Sequence, residues 1–260
     1  MKIISYFIDD IINALMDYSS FYFLLLVALG AMVQTITGFA MGLIVMGGVT
    51  AMALADMGAS AAVVGFISLV NALIALRHSH RLIDKDYLLW ISVGLLPLIL
   101  VGVWTLDYLS ASYSGYLRMF LGFVIVSAGI LLMLKPHPFS KPSSPFMSTL
   151  VGSIGGFISG LYGAGGAPLA FFMYRQPLDI NIVRATLLAI FAVSTFSRTV
   201  TVALAGEIDR EVLTLAGLSV PVVVLVTVGT SRVTGKLPDA MVRKCVFALL
   251  ILLGLFLIVS

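Results

Sequence analysis

The stretch VGSIGGFISGLYGAGGAP, residues 151–168, decides how the chain folds. It is apolar enough for a membrane, but it carries seven glycines, at positions 152, 155, 156, 160, 163, 165 and 166. Hydrocarbon tolerates irregular backbone only where protein or a cavity covers it. A break in a membrane helix also exposes backbone N–H groups and a helix N-terminus, both of which suit an anion. We therefore expect a broken segment with a binding loop here.

The whole chain is strongly apolar. Its mean hydropathy is +1.13, and only 10% of its 260 residues are charged. These values predict an all-α polytopic membrane protein. The single cysteine, Cys245, excludes a disulfide within the chain and a CxxC motif. The net charge of +3 comes from short loops, so it bears on membrane topology, and we expect no nucleic-acid partner.

Apolar runs and linkers divide the chain into four parts. We expect an interfacial segment at 1–19, a first half at 20–134, a Pro-rich linker at 135–145 and a second half at 146–260. The runs 59–76, 87–106, 116–134, 182–205, 212–229 and 241–259 are expected to span the membrane. A first broken segment is expected within 21–55, with breaks at Gly38, Gly42 and Gly47-Gly48.

The two halves repeat each other in sequence. GAMVQTITGF at 30–39 aligns with GSIGGFISGL at 152–161 at an offset of 122. IDKD at 83–86 aligns with IDRE at 208–211 at an offset of 125, and Pro97 then lies opposite Pro221. Such internal repeats are common in transporters.

The basic residues favour an inverted relation between the halves. If each broken segment crosses the membrane once, the cations outside the spans divide seven against seven. If each segment enters and returns on the same side, they divide eleven against three, as the positive-inside rule requires. The three are Lys2, Arg118 and Arg210. We therefore expect two inverted half-repeats, each a glycine-broken hairpin plus three transmembrane helices.

The chain resembles the sulfite exporter TauE/SafE family of bacterial membrane proteins. The resemblance lies in the repeat, in the GLYGAGGAP stretch at 160–168 and in its weaker partner TGFAMG at 37–42. The resemblance covers about residues 20–260. It implies a multi-pass secondary transporter of the cell inner membrane that carries sulfite, organosulfonates or related small anions. The first half departs from the family pattern, because Met41 and Leu43 stand where glycines are expected.

Glycines and hydroxyls around the breaks are the first candidates for substrate binding. Gly160, Gly163, Gly165 and Gly166 would offer N–H donors, whereas Gly152 and Gly156 have the spacing of helix packing. Thr37 aligns with Ser159, and each directly precedes a glycine, Gly38 and Gly160. Tyr162 and Gln34 are nearby polar groups. Their alternative roles are hydrogen bonds within or between helices, or plain packing.

Arg198 is the charge that lies deepest in an expected span. A guanidinium suits an oxyanion through paired donors, and the alternative is that Arg198 snorkels to the outer surface. Ser194 lies one turn away on the same face, and Asn71 aligns with Ser194 at an offset of 123. All three are candidate substrate-binding residues.

The residues support a carrier better than an enzyme. No HExxH motif, nucleophile–base pair or nucleotide loop is present, so we expect no catalysis, no cofactor and no metal. We expect a small anionic substrate, the lipid bilayer as surroundings, and a monomer or homodimer. No carboxylate lies deep in a span, so the sequence shows no buried relay for proton-coupled transport. Proton coupling through His78, His80 or the substrate's own protonation and coupling to sodium are all left open. A carrier for another anion or sulfur compound, an anion channel and a membrane scaffold are the alternatives.

Overall fold

The structure is a computed structural model, and most of the residues that it describes lie in helices. The described residues are 18–77, 79–110, 113–133, 139–206, 208–233 and 239–259, and no strand lies within them. In chain order, the α-helices of these ranges are α1 (Tyr18–Thr37), α2 (Met41–Met52), α3 (Met57–Leu76), α4 (Lys85–Ser110), α5 (Ser114–Met133), α6 (Pro145–Tyr162), α7 (Gly166–Tyr174), α8 (Ile180–Leu204), α9 (Arg210–Val233) and α10 (Asp239–Val259). A helix satisfies its own backbone groups, as hydrocarbon demands.

Five of these helices, α1, α3, α4, α8 and α9, are long and apolar enough to cross a membrane. Shorter apolar helical stretches occupy 41–52, 115–130 and 247–259. The expected all-α polytopic membrane fold is therefore confirmed. Each expected span coincides with a helix to within four residues at either end. The predicted interfacial segment lies outside the described residues except for Tyr18 and Ser19, and the linker is described only from Phe139 onward.

Aspartates just before the helices explain where several of them begin. The Asp84 carboxylate accepts from the N–H of Tyr87 at 3.1 Å, and the Asp209 carboxylate accepts from the N–H of Val212 at 2.9 Å. These are N-caps of α4 and α9, and such caps satisfy donors that a helix start leaves free. The repeated IDKD and IDRE motifs are thus two copies of one capping device, at the same place in each half.

Each glycine-broken segment contains one break, and the two breaks share a left-handed turn. α1 ends at Thr37, where Gly38 takes a φ of 84° before α2 begins. α6 ends at Tyr162, where Gly163 takes a φ of 65° before α7 begins. Glycine adopts positive φ without a steric cost, whereas other residues rarely do. The two left-handed glycines lie 125 positions apart, so the breaks pair Gln34 with Ser159 rather than Thr37 with Ser159.

The predicted breaks at Gly42 and Gly47-Gly48 are wrong, because all three residues lie inside α2. They serve close packing instead. A Cβ added to Gly42 would lie 2.4 Å from the Gly163 carbonyl oxygen, and one added to Gly48 would lie 2.5 Å from the Leu26 side chain. A glycine in a membrane helix either turns the chain or admits a neighbour, and here these three admit a neighbour.

Glycines also bring α4 and α6 into backbone contact along parallel axes. Three glycines of α6, each one turn from the next, face three carbonyl oxygens of α4 that are also one turn apart. The distances from an added Cβ to those oxygens are 2.2 Å for Gly152 and Ile91, 2.3 Å for Gly156 and Leu95, and 2.4 Å for Gly160 and Ile99. The packing role expected of Gly152 and Gly156 is confirmed, and Gly160 extends the same stripe.

Two helix pairs that join the halves run antiparallel. Asp84, at the end of the loop that joins α3 to α4, donates its N–H to the Thr186 hydroxyl near the start of α8 at 2.9 Å. Arg198, near the end of α8, donates to the carbonyl of Ala61 near the start of α3 at 2.7 Å. α5 and α10 are also antiparallel. An added Cβ on Gly122 would lie 2.8 Å from the Gly254 carbonyl oxygen, and one on Gly129 would lie 3.0 Å from that of Phe247.

Candidate functional site

The two breaks cross each other inside the protein. An added Cβ on Gly42, in the first turn of α2, would lie 2.4 Å from the Gly163 carbonyl oxygen and 2.9 Å from the Ala164 Cα. Ala40, which precedes α2, has a φ of 85° although it carries a Cβ. Such strained positions persist only where the surrounding structure holds them, and they concentrate at functional sites. The crossing of the breaks is therefore the candidate binding site.

A small cavity lies at this crossing. A water-sized sphere can occupy about 10 Å³ of it, which is room for about one water molecule. Ten residues from both halves line the cavity: Gln34, Ala40, Gly42, Leu43, Ser68, Gly163, Ala164, Gly166, Phe191 and Thr195. In this structure the cavity is too small for a polyatomic anion.

Two helix N-termini reach the cavity. α2 begins at Met41 and α7 begins at Gly166, so the first turns of both helices are at the cavity. The first N–H groups of a helix have no acceptor within the helix, and the helix dipole places partial positive charge there. None of the ten lining residues is acidic. These two N-termini thus offer backbone N–H donors at the cavity.

Three polar side chains line the cavity, and they differ in what they can offer. Ser68 is 3% exposed, and its hydroxyl has no hydrogen-bond partner among the described residues. Gln34 donates one amide N–H to the Ser68 carbonyl at 3.3 Å, which leaves its second N–H as a donor. Thr195 donates its hydroxyl hydrogen to the Phe191 carbonyl at 2.6 Å, so it offers the cavity only lone pairs. The free side-chain donors therefore come from the first half.

Side chains of the second half hold the first break in place. Tyr174 donates its hydroxyl to the Thr37 carbonyl at 2.6 Å, and the Arg184 guanidinium donates to the Thr35 carbonyl. Both carbonyls belong to the last turn of α1, which cannot satisfy them within the helix. The Thr37 hydroxyl oxygen lies 2.8 and 2.9 Å from the backbone carbonyl oxygens of Val33 and Phe39, so its one hydrogen is donated to either carbonyl or shared between them. Thr37 therefore shapes the break from outside the cavity lining.

Arg198 has an equivalent role at the second break. It is 1% exposed, and its Nε donates to the Gly160 carbonyl at 3.1 Å while its Nη1 donates to Ala61. Because Gly160 lies in the last turn of α6, Arg198 caps that helix and ties it to α3. The alternative of snorkelling to the surface is contradicted by this burial. The guanidinium therefore reaches the second break only through the Gly160 carbonyl, and Arg198 does not line the cavity.

Other predicted residues form polar contacts beside the cavity. The hydroxyls of Ser159 and Ser194 are 2.6 Å apart and share a hydrogen bond. The amide nitrogen of Asn71 donates to Thr35 at 3.0 Å and to Thr227 at 2.7 Å, and the Asn71 side chain is fully buried. The first pair joins α6 to α8, and the second group joins α3 to α1 and α9. These contacts fasten helices around the breaks.

The remaining predicted residues pack against backbone. The Tyr162 hydroxyl donates to the Leu117 carbonyl at 2.9 Å. An added Cβ on Gly165 would lie 2.0 Å from the Gly155 carbonyl oxygen, so Gly165 folds tightly against α6. Of the twelve residues proposed from the sequence, three line the cavity: Gln34, Gly163 and Gly166.

Sequence reasoning missed seven lining residues. Ser68 lies one turn before Asn71 on α3, and Thr195 directly follows Ser194, so the spacing of polar residues offered a signal for both. The sequence predicts a break at Gly42, but it does not indicate that Gly42 lines the cavity. Ala40, Leu43, Ala164 and Phe191 are apolar residues in apolar segments, and nothing in the sequence distinguishes them.

Comparisons with known proteins agree with the resemblance in the sequence. The family described as "Sulfite exporter TauE/SafE" matches residues 22–257. The chain is 37% identical over 229 residues to a "Probable sulfite/organosulfonate exporter TauE" of Cupriavidus necator (strain ATCC 17699 / DSM 428 / KCTC 22496 / NCIMB 10442 / H16 / Stanier 337). That alignment covers 88% of this chain and 90% of the relative. No solved structure matches the chain significantly.

Proposed function

Because the chain belongs to the sulfite exporter TauE/SafE family, we propose that it exports sulfite or an organosulfonate across the bacterial inner membrane. The carrying observation is the cavity at the crossed breaks. Two helix N-termini and the unpartnered Ser68 hydroxyl line it. Helix N-termini bind sulfate-like and carboxylate groups through their free N–H groups. A membrane carrier places such termini at its substrate site near the bilayer midplane.

The site would select an anion by what lines it. Its free side-chain donors, on Ser68 and Gln34, can bond to the oxygens of an oxyanion. No carboxylate lines the cavity, so none would repel the anion there. Arg198 and Arg184 add positive charge behind the breaks through the carbonyls that they cap. A buried charge is weakly screened and acts over a longer distance than one in water. These groups favour a small oxyanion over a neutral or cationic solute.

We propose that transport proceeds by alternating access between inverted halves. Two packing observations support this. α3 and α8 occupy the same place in the two half-repeats, as do α5 and α10, and each pair is antiparallel. A two-fold axis that relates two antiparallel helices must run perpendicular to them, which for spanning helices is in the membrane plane. The cavity in this structure is smaller than a polyatomic anion, so the cycle would have to include a state in which the cavity is wider.

The two halves attach their hairpins differently, which suggests which part moves. On α6, Gly152, Gly156 and Gly160 touch the backbone of α4. At an offset of 125, α1 carries Val27, Ala31 and Thr35 in the same places. Backbone contact through glycine is tight and specific, whereas larger side chains keep the axes apart. We propose that α6 moves with α4 as one body while α1 shifts against α9, on which it packs.

Transport by purified protein in proteoliposomes tests the proposal. Liposomes loaded with radiolabelled sulfite should release it faster when unlabelled sulfite is present outside, and the rate should saturate. Ser68→Ala should lower this rate at least tenfold, because a hydrogen bond to a charged group contributes about 1.5–3 kcal/mol. Imposing a proton or a sodium gradient in turn would identify the coupling ion.

Ser60→Ala is the matched control for Ser68→Ala. Ser60 lies on the same helix, is equally buried and also has an unpartnered hydroxyl, but it does not line the cavity. Its removal should leave transport unchanged. Equal loss of transport in both variants would show that the cavity is not the site. An ohmic anion current in place of saturable exchange would show a channel.

A further inference from the structure

Gln176 joins three parts of the chain just beyond the end of α7. Its side-chain oxygen, Oε1, accepts from the Tyr87 hydroxyl at 2.7 Å and from the Ser143 N–H at 3.1 Å. Its side-chain nitrogen, Nε2, donates to the Phe172 carbonyl at 3.0 Å. Tyr87 lies in the first turn of α4, Ser143 in the linker and Phe172 in the last turn of α7. Gln176, Tyr87 and Ser143 form what we call the Gln176 clasp.

The Gln176 clasp is buried and supported by aromatic contacts. Gln176 is 2% exposed and Tyr87 is 7% exposed. The Tyr87 ring meets the Phe172 ring edge to face, with 6.2 Å between the ring centroids. Beside the clasp, the Phe139 N–H donates to the Arg175 carbonyl at 2.7 Å, and the Arg175 guanidinium lies 4.2 Å from the centroid of the Phe139 ring. Buried hydrogen-bond networks rigidify the elements that they join, so the clasp fixes the end of α7.

The helix α7 connects the clasp to the cavity. It has nine residues, Gly166–Tyr174, and at 1.5 Å per residue it is about 13 Å long. Its first residue, Gly166, lines the cavity. Over so short a distance a hydrogen-bonded helix moves as one piece. The clasp at one end of α7 therefore sets where the free N–H groups at the other end lie.

The first half has other residues at the positions equivalent to this clasp. At the offset of 125 that relates the two left-handed glycines, Ala51 stands in the place of Gln176. At the same offset, which also relates the two aspartate caps, Val212 stands in the place of Tyr87. Neither aliphatic side chain can make a hydrogen bond. The second hairpin is therefore fastened to α4 both through the glycines of α6 and through the Gln176 clasp, and the first hairpin has neither attachment at the equivalent positions.

We propose that Gln176 is a positioning residue for transport, and that the Gln176 clasp makes α7 part of the body formed by α4 and α6. Gln176 acts through α7, whose first N–H groups it keeps in place at the cavity. The first hairpin, which lacks the clasp, is then the one that shifts. This proposal rests on the transport function proposed above.

Hydrogen–deuterium exchange of the purified protein in detergent tests the clasp without any transport measurement. Gln176→Met removes the oxygen that Tyr87 and Ser143 share. The Ser143 amide should then exchange about fivefold faster, the factor that corresponds to a hydrogen bond worth about 1 kcal/mol. Gln176→Glu keeps an acceptor oxygen in either protonation state, so this amide should exchange as in wild type. Tyr87→Phe removes only one hydroxyl and should give a smaller change in the same direction, which keeps the test available if Gln176→Met folds poorly.

Sulfite exchange in proteoliposomes tests the positioning role. Gln176→Met should raise the sulfite concentration for half-maximal exchange about fivefold, because a helix N-terminus contributes about 1 kcal/mol to holding an anion. The maximal rate should stay within about twofold of the wild-type rate. A mere loss of folded protein would instead lower the maximal rate and leave the half-maximal concentration unchanged. Gln176→Glu should restore the wild-type concentration.

Thr149→Val is the matched control. The Thr149 hydroxyl on α6 donates to the Trp90 carbonyl on α4 at 3.1 Å, so this variant removes a hydrogen bond between the same helices outside the clasp. Both its Ser143 amide and its half-maximal sulfite concentration should match those of wild type.

An unchanged Ser143 amide in Gln176→Met would overturn the clasp even if sulfite is exported. A faster amide with an unchanged half-maximal sulfite concentration, or equal effects in Thr149→Val, would overturn the positioning role. Absence of sulfite exchange by the wild-type protein would overturn the transport function and the positioning role with it, while the amide comparison would still decide whether the clasp holds α7.

Discussion

Replacing Gly156 by alanine tests the contact between α4 and α6 on which the second hairpin is mounted. The added Cβ would lie 2.3 Å from the Leu95 carbonyl oxygen and 2.8 Å from the Leu95 Cα. Ordinary contacts between carbon and a carbonyl oxygen are about 3.3–3.6 Å. The helices must therefore move apart by about 1 Å at this point, or one of them must bend.

The cost of this separation can be estimated from the three glycine contacts. Each Cα–H to carbonyl contact contributes about 0.5–1 kcal/mol, and a gap of up to 1 Å forfeits a quarter to a half of the dispersion energy nearby. Losing three such contacts costs about 1.5–3 kcal/mol. This agrees with the usual cost of overpacking a tight interface, which is about 1–3 kcal/mol. Alanine regains about 0.5–1 kcal/mol through its better helix propensity. The net loss should be about 1–2 kcal/mol.

Thermal unfolding in detergent, followed by the fraction of protein that stays monodisperse, measures the effect. A chain of this size changes its midpoint by about 2–4 °C for each kcal/mol, so Gly156→Ala should unfold several degrees earlier. Gly229→Ala is the control, because Gly229 is inside α9 and an added Cβ meets nothing within 4 Å. Its midpoint should be unchanged or slightly higher. A Gly156→Ala protein as stable as wild type would refute the backbone contact.

Two further predictions concern Arg198 and the membrane topology. Arg198→Met should lower thermal stability by about 2–6 kcal/mol, since it leaves the Gly160 and Ala61 carbonyls without these donors, while Arg198→Lys should lose less. Equal stability of the Met variant and wild type would contradict the capping role. With Cys245 replaced by serine, single cysteines at the exposed positions His80 and Asp209 should react with a membrane-impermeant maleimide from opposite sides. Labelling of both from one side would exclude inverted halves.

The sequence predicted the helices well because their signals are local. Apolar runs of spanning length, an aspartate cap before a span and a left-handed glycine depend on few neighbours. Gly163 was recognised as a break for this reason. Gly42 was misjudged because a glycine that turns the chain and a glycine that admits another backbone look alike in one sequence. Only the structure shows that Gly42 has the second role, because the Gly163 carbonyl packs directly against it.

The site was predicted less well because membrane helices do not reveal their inner face. Lipid and protein core are both apolar, so no alternation of polar and apolar residues shows which side chains face a cavity. Phe191 illustrates this, since it lies in an unbroken apolar run. The sequence suggests an oxyanion as the partner of Arg198, whereas in the structure its guanidinium donates to the Gly160 and Ala61 carbonyls. Sequence alone does not distinguish these two kinds of acceptor, because a guanidinium donates to both.

The crossing of the two breaks is the centre of the proposed mechanism, and Gly42→Ala tests it most directly. An added Cβ there would lie 2.4 Å from the Gly163 carbonyl oxygen and would push the breaks apart. Sulfite exchange should be saturable in wild-type proteoliposomes, lost in Gly42→Ala and retained in Gly229→Ala. Wild-type exchange by the Gly42→Ala protein would contradict the account.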